Sequence, residues 1–153
     1  MSYAPEEGPI RVWLMLNTGT LPAAMMNVSS GRMPDDVLVV EDDPIIALDF
    51  EDTILGFGVK TVRAAGSVAR ALKMIDERAP DFVLLDVGLV REKSFAVAER
   101  LDALGIPFAF VTGYGAEVKL PAAFMHKPRL PKPCAPDALA AVLKGASAHR
   151  ARR

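Results

Sequence analysis

The chain has 153 residues, of which 51% are hydrophobic and 24% charged, which suits one domain with a sizeable core and is too apolar for disorder. Eighteen basic against 19 acidic residues leave a net charge of −1, which gives no general attraction to nucleic acid or acidic membranes. The single cysteine, Cys134, excludes an internal disulfide and fits a reducing cytoplasm, and no apolar run approaches the roughly 20 residues of a membrane helix.

Residues 1–34 carry Pro5, Gly8, Pro9, Gly19, Pro22, Gly31 and Pro34 and show no sustained period. They read as an irregular extension, with Met33, immediately before the ordered pattern, as the expected native start. From Asp35 the pattern is regular. Val37 to Val40 is a solid apolar run, as in a strand buried on both faces. Asp43 and Pro44 have the chemistry of a helix N-cap and first turn, and the helix is expected to end at Gly56 or Gly58. Its inward face is expected to hold Ile45, Leu48, Asp52 and Leu55, widened by Ile46, Phe50 and Ile54. Val59 to Ala64 suits a second strand. Ser67 then starts a helix with Val68, Ala71, Leu72 and Ile75 inward, closing near Pro80. Phe82 to Leu85 is a third strand. Ser94 is expected to cap a helix whose Phe95, Val97, Ala98, Leu101 and Leu104 face the core, stopped by Gly105. Phe108 to Val111 is a fourth strand. Gly113, Gly115 and Pro121 allow only a short helix over 113–126. Pro128 to Pro131 is a weak fifth strand, and Pro136 to Ala148 a last helix with Leu139, Val142 and Leu143 on one face. The remaining residues, 149–153, form a basic tail.

Alternating strands and helices predict an α/β fold, a flavodoxin-like doubly wound sheet of five parallel strands in the order 2-1-3-4-5. Ligands of such sheets bind beyond the carboxyl ends of the strands. There the sequence sets Glu41-Asp42 after the first strand, Asp86 after the third, Thr112 after the fourth and Lys132 before the last helix. Acids in such a row can serve solvated turns and helix N-termini. Three gathered in one cleft need a cation, and Mg²⁺ prefers such oxygen ligands. Asp86 is then the natural nucleophile toward a phosphoryl group, with Thr112 and Lys132 placed for its oxygens.

These residues resemble the receiver domain of two-component response regulators over residues 35–148. VLVVEDDPIIAL carries the first strand and the acidic pair Glu41 and Asp42, PDFVLLDVGL the acceptor Asp86, FAFVTG the hydroxyl Thr112, and LPKPCAPDALAAVL the Lys-Pro turn at Lys132. The resemblance implies phosphorylation of Asp86, Mg²⁺ held by Glu41, Asp42, Asp86 and the Gly88 carbonyl, and a cis Lys132-Pro133 bond. The earlier pair Lys127-Pro128 sits too far from the last helix. PFAFVTGYG is similar to the Phe-Ala-Thr-Gly-Xaa-Tyr signature of stand-alone alphaproteobacterial receivers tied to general stress response, with Val111 in place of its Ala. Most receivers carry an aromatic switch residue where this chain has Arg129, so Tyr114 is the expected switch residue.

The resemblance implies a cytoplasmic signalling protein rather than a turnover enzyme. The general acid that aspartate-dependent phosphohydrolases carry two places after the nucleophile is replaced by Gly88. The expected partners are a histidine kinase or phosphotransfer protein and a downstream protein, with no output domain, no nucleic acid, no membrane, and room for a homodimer. The rival reading is a degenerate receiver that binds partners without phosphorylation.

Overall fold

The computed structural model describes residues 31–89, 94–113 and 120–151, with side chains to residue 146 in the last stretch. In chain order the elements are β1 (Asp36–Val40), α1 (Pro44–Gly56), β2 (Thr61–Ala65), α2 (Val68–Glu77), β3 (Phe82–Asp86), α3 (Phe95–Leu104), β4 (Phe108–Thr112), a 3₁₀ turn (Ala122–Phe124), β5 (Arg129–Pro131) and α4 (Pro136–Ala151). The strands pair in parallel in the expected order β2-β1-β3-β4-β5.

The solid apolar runs are explained by two cores. Successive residues of a strand point to opposite faces, and here both faces are covered. Leu38, Val40, Val83, Leu85, Phe108 and Phe110 pack with Ala71 and Ile75 of α2 and Val97, Ala98 and Leu101 of α3. Val37, Val39, Phe82, Leu84, Ala109 and Val111 pack on the other side with Phe50 and Ile54 of α1 and Leu139 and Leu143 of α4. Central strands with no wet face have no reason to alternate polar residues.

Local chemistry sets the helix ends. The Asp43 side chain accepts hydrogen bonds from the Ile45 and Ile46 N–H groups at 2.9 and 3.3 Å, and Pro44 opens α1. The Ser67 hydroxyl accepts from Arg70 N–H at 3.1 Å at the head of α2. Gly105 closes α3 in the left-handed region, φ 68°, where a side chain would be strained.

The structure corrects two faces. In α1 the buried residues are Ala47, Phe50 and Ile54, while Ile45, Leu48 and Leu55 are exposed. This helix is apolar almost all round, so periodicity could not choose its inward stripe; packing against Val37 and Val39 does. Leu104, at the end of α3, is likewise exposed rather than in the core. Boundaries also differ. Val59 is buried but precedes β2, and α4 runs through Ala151, three residues past its expected end and into the stretch read as a tail.

At the amino ends of the strands, a polar network joins β1, β2 and α2. Arg63 places Nε 3.1 Å from Asp36 Oδ1 and Nη2 2.9 Å from Oδ2, a two-pronged contact. Arg78 Nε adds a third bond to Asp36 at 3.3 Å, and Arg63 also donates to the Arg78 carbonyl at 3.0 Å. Asp81 accepts from the Asp36 N–H at 3.0 Å.

Candidate active site

The opposite edge of the sheet gathers the polar residues. Glu41 follows β1 directly, and its N–H extends the ladder to β2 by donating to the Ala65 carbonyl at 3.0 Å. Asp86 is the last residue of β3, and the Val87 N–H continues that ladder to the Val111 carbonyl at 3.1 Å. Past β5, the Lys132 N–H donates to the Thr112 carbonyl at 2.8 Å, which sets Lys132 beside the end of β4. The Lys132-Pro133 bond is cis. Sheet pairing thus brings together groups distant in sequence.

The acids are close. Glu41, Asp42 and Asp86 each offer a carboxylate oxygen, and these lie within 4.8 Å of one another. Glu41 and Asp86 are buried, at 3% and 5% exposure, and Asp42 is half-buried. Lys132 reaches in with Nζ 3.1 Å from Asp86 Oδ2 and in contact with Glu41 Oε1. Gly88 N–H donates to Asp86 Oδ1 at 3.0 Å, and Asp42 N–H donates to Glu41 Oε2 at 3.0 Å. Asp43 stays outside as the α1 cap and is exposed.

Protonation follows from crowding. Burial, then the neighbouring Asp86, push Glu41 up to about 8 against the pull of Lys132. Burial would also raise Asp86, but hydrogen bonds from Glu41, the Gly88 N–H and Lys132 outweigh it and hold Asp86 below its ordinary value. Burial would lower Lys132, yet its contacts with Glu41 and Asp86 raise it instead. In the absence of a cation the acidic pair therefore keeps one proton near neutrality, with Asp86 the charged member.

Lys132 meets two of the three clustered carboxylates, Glu41 and Asp86. The donors are all oxygen, which suits a hard divalent cation and not a soft one. The residues present thus fit a metal ion of that class. Among the described residues no histidine joins the group, and His126 is exposed on the surface.

Each residue singled out in the sequence has a place. Glu41, Asp42, Asp86 and Lys132 meet directly. Gly88 adjoins through its N–H bond, and Thr112, half-buried, stands next to Lys132 by strand pairing. Tyr114 lies outside the described residues. Arg129 opens β5 and is exposed. Sequence reasoning did not find the contact between Lys132 and Glu41, which are 91 positions apart. It also missed a group of four phenylalanine rings behind Thr112, whose signal was the spacing of Phe108 and Phe110.

Comparison with known proteins agrees with this geometry. The sequence profile of the response regulator receiver domain matches residues 37–144. Over 85 residues, 54% of this chain, the sequence is 32% identical to the phyllosphere-induced regulator PhyR of Methylorubrum extorquens, and the match covers 32% of that protein. The chain therefore matches about a third of the length of that relative. The solution structure of SdrG from Sphingomonas melonis Fr1 shares 37% identity and a TM-score of 0.66, covering 74% of this chain and 96% of that one. A structure of the PhyR stress response regulator shares 26% identity and a TM-score of 0.66, covering 85% of this chain and 51% of that one. With the sheet order, the acid cluster and a profile match over most of its length, this chain belongs to the response regulator receiver family of two-component signalling systems.

Proposed function

We propose that this receiver takes a phosphoryl group onto Asp86 from the phosphohistidine of a histidine kinase or phosphotransfer protein, and passes the signal on through protein contacts. The carrying observation is the meeting of three carboxylates within 4.8 Å with the Lys132 ammonium on Asp86. An Asp86 carboxylate oxygen attacks phosphorus, the phosphorus–nitrogen bond breaks, and the imidazole nitrogen leaves with the electron pair. Asp86 is suited to this because its neighbours keep it ionised. Glu41, Asp42, Asp86 and the Gly88 carbonyl would hold Mg²⁺, which when bound would offset the carboxylate charge and draw electron density from the phosphoryl oxygens. Lys132 supplies a fixed positive charge on the far oxygen of Asp86, and Thr112 offers a hydroxyl to the arriving phosphoryl group.

The likeness to PhyR, described as a stress response regulator, supports a place in general stress signalling. The downstream partner is then a protein that reads the modified face, and the setting is the cytoplasm.

Borohydride reduction tests the acceptor. An aspartyl phosphate is reduced to homoserine, whereas an unmodified carboxylate is left alone. After incubation with acetyl phosphate and Mg²⁺, peptide mapping is expected to place homoserine at position 86. Homoserine at another position, or none in protein shown to carry phosphate, would remove Asp86 from this role.

A further inference from the structure

The chain just ahead of β1 is fitted to the last helix. Residues 31–34 precede the stretch that the receiver profile matches, 37–144, so their fit belongs to this chain rather than to the profile. A Cβ on Gly31 would stand 2.8 Å from Lys144 Cβ and 3.2 Å from the Lys144 carbonyl oxygen of α4. The backbone of a packed helix cannot step aside for it, so glycine is what lets the chain lie this close. Arg32 is exposed, Met33 is partly buried against the core that α1 and α4 cover, and Pro34 is buried. The segment thus runs from α4 to the start of β1. There the Thr61 N–H donates to the Asp35 carbonyl at 2.9 Å and ties its carboxyl end to β2.

The fit is close, but the hold is light. No backbone hydrogen bond joins residues 31–34 to another described residue. Arg32 meets Asp35 at 3.6 Å and Lys60 meets Asp35 at 3.8 Å, with every side chain at least 51% exposed. Exposed pairs of this kind contribute little. Met33 and Pro34 are left as the apolar anchor. A segment with so small an anchor and no ladder of its own opens locally at far lower cost than the central strands.

We propose that Gly31–Pro34 form a releasable strap, which covers α4 around Lys144 when seated and opens that part of the helix to protein contact when it lifts. Gly31 sets the seat and Met33 the latch. The inference goes beyond the proposed function and does not depend on phosphorylation of Asp86. Gly31→Val puts a branched side chain where no Cβ fits. Met33→Ser keeps the glycine fit and removes the anchor.

Two chemical probes of the full chain test the strap, each mapped by mass spectrometry. Trypsin cuts after Arg32 when the segment lifts into the protease, and the rate follows the lifted fraction. Acetic anhydride reports the cover through Lys144, with Lys73 of α2 as the reference that general unfolding would also move. Gly31→Val and Met33→Ser are each expected to raise cleavage at Arg32 by about tenfold or more. Acetylation of Lys144 relative to Lys73 is expected to rise about threefold. Gly145→Ala adds a Cβ to the same helix where nothing lies within 4 Å, and is expected to leave both rates at the wild-type value. Wild-type rates in both Gly31→Val and Met33→Ser would overturn the strap. So would wild type cut at Arg32 as fast as a denatured sample. The proposed chemistry at Asp86 stands in either case.

Discussion

Asp86→Asn is expected to abolish phosphoryl acceptance, lowering the rate by roughly 10³-fold or more. The amide oxygen is a poor nucleophile and cannot form a stable acyl phosphate. The change is nearly isosteric, and the side-chain oxygen can still accept the Gly88 N–H bond seen at 3.0 Å. Lys132 keeps its contact with Glu41. The variant should therefore fold, and lose chemistry rather than structure. Rapid-quench transfer from a labelled phosphodonor, run beside a thermal melt, reads both. Label retained at the wild-type rate would mean that the acceptor lies elsewhere.

Asp36→Ala is expected to cost about 2 kcal/mol of stability, below the value for a wholly buried pair because 14% of the Asp36 side chain is exposed. The substitution removes the partner of two Arg63 nitrogens and of Arg78 Nε. Arg63 keeps carbonyls of Met74 and Arg78, which limits the loss. This network sits at the amino ends of the strands, away from the acids. The urea midpoint should therefore fall with an unchanged slope, while phosphorylation of the folded protein stays at the wild-type level. An unchanged midpoint would show that the network contributes little.

The sequence revealed much of this because the sheet is parallel and central. Strands buried on both faces are solid apolar runs, and each run of this kind ends in the polar residue that faces the cleft. Glu41, Asp86 and Thr112 could be placed at strand ends without knowing any contact. Their meeting then follows from strand order. Lys132 was placed by its Lys-Pro turn and by resemblance, since Leu130 alone of the Arg129–Pro131 strand is buried.

What escaped has physical reasons. The face of α1 was misplaced because Ile45, Leu48 and Leu55 make as good an apolar stripe as Ala47, Phe50 and Ile54. Only the sheet beneath decides between them. Ser94 has the residue type of a cap but makes no capping bond, because propensity describes a residue and not the rotamer that packing allows. The division of charge between Glu41 and Asp86 was hidden for a similar reason. Two carboxylates look alike in sequence; burial and the neighbouring Asp86 push Glu41 up, while hydrogen bonds from Glu41, the Gly88 N–H and Lys132 hold Asp86 down.

The central claim is that these three acids gather a metal so that Asp86 can take a phosphoryl group. Intact-protein mass spectrometry of the wild type, after acetyl phosphate with either Mg²⁺ or a chelator, tests it most directly. The account predicts a gain of one phosphoryl group with Mg²⁺ and none with the chelator. Equal phosphorylation in both, or no adduct under fast quenching in protein shown to bind Mg²⁺, would contradict it.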